Sequence, residues 1–161
     1  MKEKVYEVYN SQVQAELYSA YLYLAMSFDM ESKNYKGMAN WLEKQYNEER
    51  EHAFKLIKFM QECGEKPVLQ QIDMPATDYG TPVELFAKVL EHEKHVTALI
   101  HNMYAVAIEE KDYAAQIHLQ WFVSEQVEEE ANASEILEKL QMVGDNVHGL
   151  FMIDAQLGGR K

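Results

Sequence analysis

One cysteine, three prolines and seven glycines in 161 residues leave this chain short of the residues that staple, break or loosen a fold. The single thiol, Cys63, has no internal disulfide partner and excludes a Cys-based zinc or rubredoxin-type iron site; it reads as a small core residue. Scarce Pro and Gly beside 47% hydrophobic residues argue against disorder and for a mostly helical chain. No apolar run approaches the roughly 18 residues needed to cross a bilayer. The start, Met1-Lys2-Glu3-Lys4-Val5-Tyr6-Glu7, lacks the apolar stretch of a signal peptide, so the expected address is cytoplasmic. Positive charge is also lacking, with 15 Lys and Arg against 27 Asp and Glu and a net charge of −12. That balance opposes nucleic-acid and anionic-membrane partners and favours cations, although net charge by itself is better read as simple solubility.

What is present is sustained helical periodicity. A first helix is expected from about Val5 to Met30, with Tyr9, Val13, Leu17, Ala20, Leu24 and Phe28 in its apolar stripe and Glu16 and Tyr23 on the same side. Ser32 to Gly37 breaks the pattern, and the second helix runs from about Met38 to Cys63, with Gly64 as its terminator. Glu65 to Gly80 is the only long connection. At about 3.3 Å per residue it can extend roughly 50 Å, more than the roughly 39 Å length of the preceding helix. Thr81-Pro82-Val83-Glu84 is a capping box with Pro at the first helical position, opening a third helix from Pro82 to Glu109. A fourth follows from Tyr113 to Val143 behind Asp112, and a short apolar element spans Val147 to Ala155. Short, long and short connections describe a single all-α domain, a four-helix bundle with one long crossover; an up-down bundle does not need so long a loop.

The buried faces carry acids. Glu49 falls inside the stripe formed by Leu42, Gln45, Ala53, Leu56 and Met60, with His52 at its edge. Glu93 lies in the stripe of Leu85, Val89, Val96, Ile100, Met103 and Ala107. Glu129 lies among Phe122, Ala133, Ile136 and Leu140, flanked by Glu125 and Gln126. With Glu16, these acids sit within about a turn of their helix midpoints, so a bundle brings all of them to one height. Unpaired buried carboxylates are costly, and like charges raise one another's pKa, so the cluster calls for a cation. Oxygen donors with one imidazole and no thiolate suit iron, manganese or zinc, and bridging carboxylates suit two metals. Di-iron bundles draw Glu from two helices and Glu-x-x-His from each of the others. Here Glu16, Glu93 and Glu49-x-x-His52 match, and the fourth helix departs with Gln126-x-x-Glu129.

Glu16, Tyr23, Glu48-Glu49-Arg50-Glu51-His52, Glu93 and Trp121-Phe122-Val123-Ser124-Glu125-Gln126-Val127-Glu128-Glu129-Glu130 together closely resemble the bacterial non-haem ferritins, over essentially the whole chain. The resemblance implies the ferritin-like fold with a short C-terminal fifth helix, and an iron-storage protein with ferroxidase activity towards iron(II), using O₂ or hydrogen peroxide. It implies a first iron held by Glu16, Glu49 and His52, with Glu49 bridging to a second completed by Glu93 and Glu129 with Gln126 nearby. It further implies a third iron position at Glu48, Glu125, Glu128 and Glu129, a role for Tyr23 beside the centre, and a shell of twenty-four subunits. Haem is not expected, because the position after the bridging Glu is Arg50 where bacterioferritins place a haem-ligating Met.

Rival readings are a rubrerythrin-like di-iron oxygenase or peroxidase and a metal-free helical interaction module. The first commonly takes electrons from a Cys-rich iron module, which Cys63 alone cannot make. His92, Glu93 and His95 fall one residue short of the zinc-protease spacing. His92, His95, His101, His118 and His148 read as packing or surface groups, and Trp121 as structural.

Overall fold

The computed structural model describes residues 1–161 and consists of five helices without a strand: α1 (Glu3–Ser32), α2 (Lys36–Glu62), α3 (Pro82–Glu109), α4 (Tyr113–Val143) and α5 (Val147–Gly158). α3 and α4 have the bounds expected from the sequence, whereas α1 and α2 start earlier and α5 runs on to Gly158. The break after α1 is tighter than the Ser32–Gly37 reading. Asn34 adopts a left-handed backbone at φ 64°, which Asn tolerates, and the chain re-enters a helix at Lys36.

The helix ends follow local chemistry. Gly64, at φ 81°, closes α2 in a Schellman arrangement, its N–H donating to Gln61 O at 2.9 Å and that of Glu65 to Met60 O at 3.0 Å. Both halves of the Thr81–Glu84 capping box form, Asp112 Oδ1 accepts from Ala115 N, and Asn146 Oδ1 accepts from Gly149 N.

The long connection runs along the length of α1. Tyr6 donates to Lys66 O, Asn10 Oδ1 accepts from Val68 N, Gln14 donates to Gln71 O, and Asp29 Oδ2 accepts from Tyr79 N. These bonds place the start of the crossover beside the start of α1 and its end beside the end of α1. They also explain why Asn10 and Asp29 are buried.

Those polar positions correct the expected α1 stripe. Phe28 is 64% exposed and Leu17 and Leu24 are only partly buried, because Asn10, Gln12, Ser19, Ser27 and Asp29 occupy inward positions where their side chains find partners. Cys63 is likewise only partly buried, at the end of α2, and not a core residue.

The apolar core divides in two. One cluster gathers Leu22, Tyr23 and Met26 with Leu42, Phe86, Val89 and Leu140; the other gathers Val5, Tyr9 and Val13 with Leu56, Ile100, Leu119 and Phe122. Between them, each long helix contributes its buried polar residues: Glu16 and Ser19, then Gln45, Glu49 and His52, then Glu93, then Gln126 and Glu129. The bundle is thus a polar layer between two hydrophobic plugs.

α5 docks on the start of α2. No α2 capping side chain is available at Tyr35, and Asp154 of α5 supplies one from a distance by accepting from Met38 N at 2.9 Å, a negative group at the positive end of a helix. Gly37 permits the approach: a Cβ there would lie 1.7 Å from Asp154 O and 3.0 Å from Gly158 N, both backbone atoms. Gly37→Ala should therefore displace α5 and cost about 1–3 kcal/mol, lowering the thermal midpoint followed by circular dichroism by several degrees.

Candidate metal centre

Glu16 of α1, Glu49 and His52 of α2, Glu93 of α3, and Gln126 and Glu129 of α4 converge in the polar layer, none more than 6% exposed. His52 Nδ1 lies 3.2 Å from Glu49 Oε2 and 4.0 Å from Glu16 Oε2. Ligand atoms of Glu16, Glu49 and His52 all fall within 4.8 Å of one another, and so do those of His52, Glu125 and Glu129. His52 is thus the hinge between an inner and an outer cluster. Its ring is packed edge-on to Trp121 at 5.4 Å, with Lys55 Nζ on the Trp121 face.

Hydrogen bonds satisfy some of the carboxylate oxygens and leave others open. Glu93 is held on both oxygens, by the Tyr23 hydroxyl on Oε1 and by Gln126 Nε2 at 3.2 Å on Oε2. Gln45 Nε2 spans two acids, donating to Glu129 Oε2 at 2.8 Å and Glu49 Oε1 at 3.2 Å. Gln12 donates to Glu16 Oε1 at 2.8 Å, but Glu16 Oε2 has no partner although it is fully enclosed. A buried carboxylate oxygen without a donor is costly, which favours either a proton on Glu16 shared with Glu49 or a bound cation. This oxygen faces His52 and Glu49, which also offer donor pairs suited to a metal ion. No Lys or Arg forms an ion pair with Glu16, Glu49, Glu93 or Glu129; His52 is the only basic group that reaches Glu16 and Glu49.

The energetic consequence is a set of carboxyls that resist ionisation. Burial is the largest cause at all four, raising Glu16, Glu49 and Glu93 above the ordinary range and Glu129 to about 8. Neighbouring charge adds to this: Glu49 acts on Glu16, and Glu93 on Glu49 and Glu129. Tyr23 is pushed far up by burial and by Glu93, so its hydroxyl remains a donor.

The remaining expected residues form the outer rim. Glu48, Glu125, Glu128 and Glu129 line a cavity of about 390 Å³ with Trp41, Asn132 and Arg160. Glu125 Oε1 is 3.8 Å from His52 Nε2, Glu128 is exposed, and Glu48 Oε2 accepts from Arg160 Nη2 at 2.5 Å. Sequence reasoning missed Arg160, Gln12 and the bridging role of Gln45. Both glutamines stand four residues before a buried Glu, a spacing that presents an amide to a carboxylate on one helix face and is visible in the sequence. Arg160 carries no such signal. Of the histidines, His92 is packed against Ser19 Oγ at 2.8 Å and His118 is stacked on Phe59; burial lowers each to about 4, so both are neutral.

The raised carboxyls set a pH dependence. Glu129 binds its proton in the folded state up to about pH 8 but only to about 4.5 when unfolded, so its contribution to stability is lost as pH rises through 8. His92 and His118 act in the opposite sense, but only below about 6.5. With chelator present, chemical denaturation should show stability falling between pH 6.5 and 8. Glu129→Gln should flatten that slope, and zinc should reverse it by binding the ionised form.

The Ferritin family, described by its ferritin-like domain, matches residues 7–143. The chain is 42% identical to a bacterial non-heme ferritin of Bacteroides fragilis over 160 residues, 99% of each sequence. It is 39% identical to a probable bacterial non-heme ferritin-like protein of Haemophilus influenzae, over 98% of this chain and 96% of that one. Its fold superposes on an open pore ferritin of the hyperthermophilic archaeon Archaeoglobus fulgidus with a TM-score of 0.99 at 42% identity, covering 100% and 99% of the two chains. With these relations over its whole length and an all-α bundle closed by a short fifth helix, the chain belongs to the ferritin family.

Proposed function

We propose that this ferritin is a ferroxidase as well as an iron store, binding iron(II) as substrate in the polar layer and passing iron(III) to a mineral inside a shell of its own copies. The observation that carries this reading is the unpartnered Glu16 Oε2 beside Glu49 and His52, within four buried acids that have no Lys or Arg counterion. Glu16, Glu49 and His52 would receive one iron, and Glu49, Glu93 and Glu129 a second, with Gln126 orienting Glu93. Two iron(II) ions held close together would be oxidised to iron(III) as a pair, their electrons reducing O₂ or hydrogen peroxide.

The protein's part is to hold donors and protons. Gln12, Gln45, Tyr23 and Gln126 fix one or more oxygens of each carboxylate and so hold the acids in place around the metal-binding cluster. Carboxyls that carry protons in the metal-free protein would release them on binding iron, which makes uptake favour higher pH. Glu48, Glu125, Glu128 and Glu129 on the outer cavity would take a third ion. The rubrerythrin-like alternative lacks the thiols for an electron-input module, since Cys63 stands alone.

Assembly into a shell is supported by the surface. Val147, Phe151 and Met152 of α5 are 59%, 58% and 74% exposed, and Tyr21, Leu24 and Phe28 form an apolar groove with Met74 and Pro75 of the crossover. Apolar surface of this kind on one subunit marks contact with others. No helix is long and apolar enough to cross a membrane.

Aerobic iron(II) oxidation followed by absorbance should slow at least about tenfold in Glu49→Ala and His52→Ala, while size exclusion still shows the same large particle. Unchanged rates in both variants would remove the ferroxidase assignment, and a particle of one or two chains would remove the shell.

A further inference from the structure

Arg160, just beyond α5, lines the acidic outer cavity and also bonds to Gln45, the amide that spans the inner acids Glu49 and Glu129. Its guanidinium lies over the Trp41 ring at 4.7 Å. Nη2 donates to Glu48 Oε2 at 2.5 Å, and Nη1 donates to Gln45 Oε1 at 3.0 Å and to Trp41 O at 3.3 Å. The backbone is tethered as well, with Asn40 Nδ2 donating to Arg160 O at 3.1 Å. The guanidinium is therefore held by stacking, a charged pair and two neutral acceptors.

Two consequences follow from that geometry. Arg160 occupies Oε2 of Glu48, an acid that a divalent cation in the outer cavity would use alongside Glu125, Glu128 and Glu129. It also fixes the Gln45 amide: with Oε1 taken by Arg160, Nε2 faces inward and spans Glu49 and Glu129. The outer cavity and the inner pair of metal positions thus share one positioning residue.

We propose that Arg160 is a tethered counter-cation for the outer carboxylates, which a divalent ion must displace from Glu48 to bind there, and whose displacement frees Gln45 from its fixed orientation on Glu49 and Glu129. The inference rests on the ferritin reading of the inner site but concerns a residue outside it. By holding Glu48, Arg160 weakens the grip of the outer cavity on a divalent ion. Its role is competition and orientation; no proton or electron passes through it.

Zinc, which has no redox chemistry, separates this proposal from the ferroxidase assignment. Calorimetric titration of the assembled metal-free protein should resolve tight binding at the inner positions and a weaker outer event. Arg160→Gln should tighten the outer event about tenfold, equivalent to about 1.4 kcal/mol, leaving inner stoichiometry unchanged. Arg160→Lys, which keeps the charge, should restore most of the wild-type weakness. Glu48→Gln should abolish the gain, so that the double variant with Arg160→Gln binds no better than Glu48→Gln alone. An outer affinity that is unchanged or lower in Arg160→Gln, or equally raised in Arg160→Lys, overturns the proposal. Loss of the inner events in the wild-type protein instead contradicts the metal-centre reading.

Discussion

Four carboxyl groups enclosed at mid-height of a helical bundle, with no lysine or arginine to neutralise them, set the central constraint of this molecule. In a low-dielectric interior their mutual repulsion is met by retained protons or by bound cations, and by little else. The division of the hydrophobic core into two plugs follows from this. Apolar side chains fill both ends of the bundle, and each long helix gives its central turn to the polar layer. Folding stability comes from the plugs; the layer between them is costly until a cation arrives.

The scaffold around the layer works in two shells of contact. Nearest the acids, Gln12, Gln45, Tyr23 and Gln126 donate to chosen oxygens and leave others bare, so that a geometry suited to metal ions exists before any ion binds. Farther out, the crossover is stitched along α1, and α5 is seated on the start of α2 through Asp154 and the bare Gly37. Arg160, just beyond α5, joins the outer cavity to the polar layer through Glu48 and Gln45.

Much of this was legible in the residues, for identifiable reasons. Helix caps are local, so Thr81-Pro82-Val83-Glu84 fixed the start of α3, Asp112 that of α4, and Gly64 the end of α2. Glu49, Glu93 and Glu129 stood out because a charge within an apolar stripe is anomalous, and angle combined with height brought them together. The α1 face was misread for the converse reason. Its inward polar residues, Asn10, Ser19, Ser27 and Asp29, have local partners in part, but each also bonds a group distant in sequence, Val68, His92, Ala39 and Tyr79 respectively, which the spacing along α1 does not reveal. The outward apolar residues Leu24 and Phe28 then appeared to define the core. Arg160 was invisible because its place depends on how α5 docks, which no spacing in the chain encodes.

The most direct measurement of the central claim is anomalous diffraction from crystals soaked in iron(II) or zinc. The account predicts two peaks inside the subunit, one between Glu16, Glu49 and His52 and the other between Glu49, Glu93 and Glu129. An empty interior, with metal only on surface carboxylates, would contradict it.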